Sequence, residues 1–231
     1  MTTIRNAAVC AGTALYWVLS DAGGTPSPLP PSPCPDDMVL ADGFCIDVFE
    51  APNIRGSKPL VMVSALEAES WCKDRGKRLC TTTEWTSACS GPEKTKYPYG
   101  NAWRSGACND ESPWIDRDER KLNQWPKPVA MREAERVWQG DTSGSRKECV
   151  SGYGVHDMVG NVEEWTAGGG RKHILMGCYW NGCSNGKKPT CGHRNVTHAS
   201  NFRYYETGTR CCASVSVGSS PGSDAVKLFI R

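Results

Sequence analysis

The sequence predicts an α+β domain, loop-rich and disulfide-bonded, and three observations carry that prediction. Thirteen cysteines occur in 231 residues, and no two stand as C-x-x-C, so the closely spaced thiolates of zinc ribbons and iron–sulfur ferredoxins are missing. Two helix-start signals fall in the first half of the chain, while short strand-like runs open the domain and recur in its last third. The 24 glycines, 15 prolines and 9 tryptophans fit loops pinned by large aromatic anchors better than they fit a helical bundle.

Met1 to Val18 carry one positive charge, Arg5, ahead of a moderately apolar run, the rough shape of a secretory leader. From Ser20 the string SDAGGTPSPLPPSPCP offers neither ladder donors nor apolar burial. Residues 1–33 are therefore read as leader and linker, and 34–231 as a single domain. Cys34 and Cys45 bracket two apolar runs, Met38 to Leu40 and Phe44 to Val48, around the turn pair Asp42-Gly43, which predicts a hairpin closed by a disulfide. Ser64 three residues before Glu67 is a capping box, and the helix it starts should stop at Gly76. Thr81 and Glu84 repeat the spacing for a second helix ending at Gly91. Cys72 and Cys89 lie on the inward faces of these helices.

The middle, Tyr97 to Tyr153, has no period apart from a short helical stretch at Val129 to Trp138. Strand-like runs follow at His173 to Met176, at Tyr204 to Tyr205 and at Thr209 to Val217. Neighbouring residues on a strand point to opposite faces, so Cys211 and Cys212 should bond to different partners.

Composition narrows the function classes. The 27 basic and 25 acidic side chains give a net charge of +2, and with no concentrated basic patch nucleic acid is not expected as a partner. No segment reaches the roughly 20 apolar residues of a membrane span. With Cys10 assigned to the leader, twelve cysteines remain, enough for six disulfides, and an oxidised framework implies a secreted, periplasmic or cell-surface protein. Asn195-Val196-Thr197 is a formal glycosylation sequon. Four histidines, His193 and His198 among them, are scant material for a non-haem iron centre.

Several ordered segments resemble the family of formylglycine-generating enzymes, or sulfatase-modifying factors. They are Val63-Ser64 with Ala68 and Cys72, GKRLCTTTEW at Gly76 to Trp85, YPYGN at Tyr97 to Asn101, and YGVHDMVGNVEEWT at Tyr153 to Thr166. LMGCYW at Leu175 to Trp180, Arg194, and GTRCC at Gly208 to Cys212 complete the set. The resemblance implies a variant of the C-type-lectin-like fold. It also implies disulfides joining Cys72 to Cys211 and Cys89 to Cys191, and a Ca2+ ion on Asp157 and Glu164 with the carbonyls of Gly160 and Val162. Family enzymes use copper(I) on a C-x-x-x-x-C pair, with oxygen, to convert a cysteine in a C-x-P-x-R segment of an unfolded sulfatase to formylglycine. Cys178 and Cys183 have that spacing and are the candidate catalytic pair.

The register differs, however. Cys178 falls on the second glycine of the family's RGGSW, Tyr179 replaces its serine, and Glu163 replaces the first tryptophan of WEW. A competing role for Cys178 and Cys183 is disulfide bonding to Cys80, Cys108 or Cys149. The expectation is therefore a calcium-stabilised binding or structural module for a protein, peptide or glycan ligand, with a copper(I)-dependent thiol oxidase as the alternative.

Overall fold

Local sequence signals build the first elements. In a computed structural model, which describes residues 32–169, 173–183, 186 and 188–216, β1 (Met38–Ala41) and β2 (Phe44–Asp47) form an antiparallel hairpin. Asp42 and Gly43 both take positive φ, 48° and 87°, as a two-residue hairpin turn requires. In α1 (Ala65–Lys73) the Ser64 hydroxyl accepts from the Glu67 amide while the Glu67 carboxylate accepts from the Ser64 amide at 2.8 Å. Thr81 and Glu84 repeat the arrangement for α2 (Thr82–Ser90), after the two-residue β3 (Arg78–Leu79). Each box satisfies donors that a bare helix end leaves open, worth about 1 kcal/mol.

The middle of the chain is mostly loop, with α3 (Glu119–Leu122) and α4 (Pro128–Arg136). The last third supplies β4 (Glu163–Ala167), β5 (His173–Met176), β6 (Arg194–Asn195), β7 (Thr207–Thr209) and β8 (Cys211–Ser214). One sheet has the order β1-β2-β8-β3 and is antiparallel throughout. The other has the order β6-β5-β4-β7, in which β4 and β7 run parallel. Two strand expectations are corrected. Tyr204 and Tyr205 precede β7 without joining it, and the run from Thr209 breaks at Arg210, where the chain passes from one sheet to the other. The expected leader, and the expected linker up to residue 31, lie outside the described residues.

Three of the tryptophans anchor separate parts of the core. Trp85 packs with Ile46, Met158 and Met176, Trp165 with Ala65, Ala68 and Leu175, and Trp180 with Met62, Leu122 and Tyr205. All three are almost completely buried, and losing such a side chain typically costs about 3–5 kcal/mol. The indole of Trp165 donates to the Val63 carbonyl at 2.8 Å, so its polar edge is satisfied inside the core.

Disulfides cross-link these layers. Cys34 joins Cys45, Cys72 joins Cys211, Cys80 joins Cys212, Cys89 joins Cys191, Cys108 joins Cys149, and Cys178 joins Cys183. Cys211 and Cys212 point to opposite faces of β8, so one ties α1 to the sheet and the other ties in the residue after β3. The Cys72–Cys211 bond spans 139 residues, which in the chain-entropy model restrains the unfolded state by about 5 kcal/mol. Pairing of Cys178 or Cys183 with Cys80, Cys108 or Cys149 does not occur: those three are bonded elsewhere.

Candidate functional site

The parallel pairing of β4 with β7 builds the floor of a cavity of about 610 Å³. The Glu163 amide donates to the Glu206 carbonyl at 2.9 Å, which sets these two residues side by side, and both carboxylates line the cavity together with Tyr179, Asn181 and Cys183. Glu163 is 6% exposed and Glu206 8%. The Asn195 amide nitrogen donates to Glu163 at 3.3 and 3.5 Å. Burial pushes the Glu163 carboxyl up to about 7. Burial, and then the neighbouring Glu163, hold the Glu206 carboxyl well above the usual carboxylate range. One Glu206 oxygen, Oε2, is buried with no hydrogen-bond partner.

The opposite wall is aromatic and basic. Arg117 lies over the Trp114 ring at 4.4 Å, and its Nε donates to Glu119 at 3.0 Å and to the Tyr204 hydroxyl. Tyr179 meets Trp180 and Tyr205 edge-on at 5.8 and 6.3 Å between centroids. Sequence reasoning missed Glu206 and Arg117. Glu206 is isolated in a run of polar and aromatic residues, and only the β4–β7 register brings it to Glu163.

The candidate catalytic pair lies at the cavity edge as a closed bridge. Cys178 is 0% exposed and Cys183 7%. Both sulfurs and a ring nitrogen of His193 lie within 4.8 Å of one another. Bonded to each other, the sulfurs offer no thiolate, so in this state they do not fit copper(I), which needs deprotonated thiols. Cys178 takes φ of 60°, the left-handed backbone that favours glycine, at the position where the sequence pattern has a glycine. A side chain there stores about 1–3 kcal/mol of strain, and the bridge to Cys183 holds it.

Of the two carboxylates assigned to calcium, Glu164 is held by a buried arginine. Arg210 donates from Nε and Nη2 to the two Glu164 oxygens, both at 2.7 Å, and the Trp85 indole donates to Oε2 at 2.7 Å. A cation shared by Asp157 and Glu164, as the resemblance implies, would have to share Glu164 with that guanidinium. Asp157, at φ 58°, accepts from the Gly144 amide at 2.6 Å. Gly160 serves packing: it has φ 76°, and a Cβ there would lie 2.1 Å from the Asn109 carbonyl oxygen. Val162 packs near Trp180 in the core. Around Arg210 the structure thus gathers three buried acids, Glu164, Asp157 and Glu50. Burial raises Asp157 to about 6 and Glu50 to about 8. The sequon residue Asn195 uses its amide nitrogen inside the site.

Residues 36–215 match the model of the sulfatase-modifying factor enzyme 1-like domain. The chain is 36% identical over 110 residues to the inactive C-alpha-formylglycine-generating enzyme 2 of Bos taurus, covering 47% of this chain and 32% of that protein. It is 28% identical over 181 residues to the formylglycine-generating enzyme of Mus musculus, covering 77% and 44%. The chain therefore spans less than half the length of these relatives. Among solved structures, CarF aligns at a TM-score of 0.49 and 15% identity over 69% of each chain. No helix among the described residues is long and apolar enough to cross a membrane. With a family match that covers most of its length, the chain belongs to the sulfatase-modifying factor family, whose loop-rich α+β fold it shares.

Proposed function

We propose that this chain is a ligand-binding domain on the sulfatase-modifying-factor scaffold, with the cavity beside Cys183 as its ligand site, rather than a copper-dependent oxidase. The observation that carries this reading is the Cys178–Cys183 bridge: the thiols an oxidase needs are consumed by a bond whose first sulfur belongs to a fully buried residue. Tyr179 and Glu163 support it, since they line the cavity where the family pattern has a serine and a tryptophan. The likeness to a relative named as inactive is in keeping with a scaffold retained without that chemistry. Six disulfides support an exported protein, secreted, periplasmic or at the cell surface, where a protein, peptide or glycan would be the ligand. The test supplies purified protein with copper(I), oxygen and a C-x-P-x-R peptide. No formylglycine above the copper-only background is expected. Product that disappears in both C178S and C183S would overturn the reading.

A second reading is favoured by one observation, the proximity of His193 to both sulfurs. Reduction of the bridge would present two thiolates and an imidazole, a donor set suited to copper(I). Copper uptake by the reduced protein, followed by turnover of the same peptide, would distinguish this thiol oxidoreductase from the binding domain.

A further inference from the structure

The cavity holds two buried carboxylates and, among the described residues, no ion-pair partner for either. The only polar contact of the Glu163 side chain among these residues is the long pair of hydrogen bonds from Asn195, and Glu206 Oε2 has none. Arg117 lines the same cavity; its Nε donates to Glu119 and Tyr204, its Nη1 is buried without a hydrogen-bond partner, and it makes no salt bridge to either carboxylate. Leaving a buried acceptor unsatisfied costs more than a typical hydrogen bond returns, so the carboxylate side of this cavity lacks a donor. Tyr179 and Phe202 line the same space, and aromatic faces attract organic cations.

We propose that Glu163 and Glu206 form a recognition site for an organic cation, a guanidinium or primary ammonium group, entering the cavity beside Cys183. This inference rests on the reading of the cavity as a ligand site and names the chemistry it selects. The neighbouring carboxylates offer four acceptor oxygens to a group that carries only donors. The charged and titratable groups acting on Glu206 are Glu163, Arg117 and Glu119, with Tyr179 and Tyr205 close by. Burial and their mutual repulsion favour the protonated forms of the two carboxyls in the empty cavity, and a bound cation would favour the ionised forms.

The experiment is calorimetric titration of the whole protein with agmatine, which carries both cationic groups, and with N-acetylarginine amide, which separates a free amine from a peptide side chain. Neutral 1-butanol and anionic butyrate serve as controls. Titrations in two buffers of different ionisation enthalpy count the protons released. Binding of at least one cation is expected, with net proton release at pH 7, at least about tenfold weaker binding in E206Q and E163Q, and smaller proton release in each. E206Q removes a buried, unpaired carboxyl and should melt no lower than the parent, so its loss of binding would not reflect unfolding. Failure of both cations to bind, or unchanged affinity in both variants, would overturn the inference. Binding of a neutral or anionic probe alone would overturn the cation chemistry while leaving the cavity a ligand site. Formylglycine formation, tested separately, bears only on the binding-domain reading.

Discussion

Replacing Arg210 by methionine should unfold this protein more readily than any loss of surface charge. The guanidinium is 1% exposed. Besides its two bonds to Glu164 it donates to the His156 carbonyl at 2.9 Å and to the Asp47 and Val48 carbonyls at 3.3 Å. Removing one partner of a buried ion pair costs about 3–5 kcal/mol, and the orphaned carbonyls add about 1 kcal/mol or more. At about 2–4 °C per kcal/mol for a domain of this size, R210M should melt about 10–15 °C below the parent. The deficit should be smaller at pH 5 than at pH 8. Arg210 opposes the upward shifts of Glu50 and Asp157, so without it both carboxyls rise further, and a raised carboxyl loses its stability contribution as pH climbs through its folded value. The double variant R210M/E164M should recover much of the loss, because it removes the pair together and does not leave the Glu164 charge buried without its partner. Thermal melts under non-reducing conditions read all three. An R210M melt within about 3 °C of the parent, or a double variant no better than the single, would refute this reasoning.

Three other outcomes follow from the same structure. Glu50 is raised from 4.5 to about 8, so its contribution to stability is complete below about pH 4.5 and is lost as pH rises through 8; E50Q should flatten the decline in melting temperature across that range, and an unchanged slope would count against it. C178G/C183S should be more stable than C178S/C183S, by about 1 kcal/mol, because glycine relieves the left-handed backbone at Cys178; equal denaturant midpoints would remove the strain argument. Chelation of divalent ions should leave the melting temperature unchanged, since Arg210 occupies Glu164; a fall that added calcium restores, and that E164Q lacks, would return the ion to that carboxylate.

The parts of the fold set by neighbours in sequence are legible there. Ser64 with Glu67, Thr81 with Glu84, and Asp42-Gly43 each fix a boundary through contacts within a few residues. The separate partners of Cys211 and Cys212 follow from strand geometry alone, whereas the partners proposed for Cys72 and Cys89 came from a resemblance, because nothing local selects among distant sulfurs. β4 escaped detection because Glu163, Glu164, Trp165 and Thr166 are all buried; a strand covered on both faces shows no alternation. The site was the least legible. Glu164 with Arg210, and Glu163 with Glu206, are brought together by the register of β4 on β7 and by the crossing between sheets, and neither leaves a periodic trace. Cys178 and Cys183 carried a spacing compatible with two roles, and only their left-handed turn beside the cavity closes them on each other.

The state of those two sulfurs tests the central claim most directly. Native protein should be alkylated without reduction, digested, and mapped by mass spectrometry. The account predicts that Cys178 and Cys183 escape alkylation and appear in one species linked to each other. Recovery of both as alkylated free thiols in the folded protein, or of either joined to another cysteine, would contradict it.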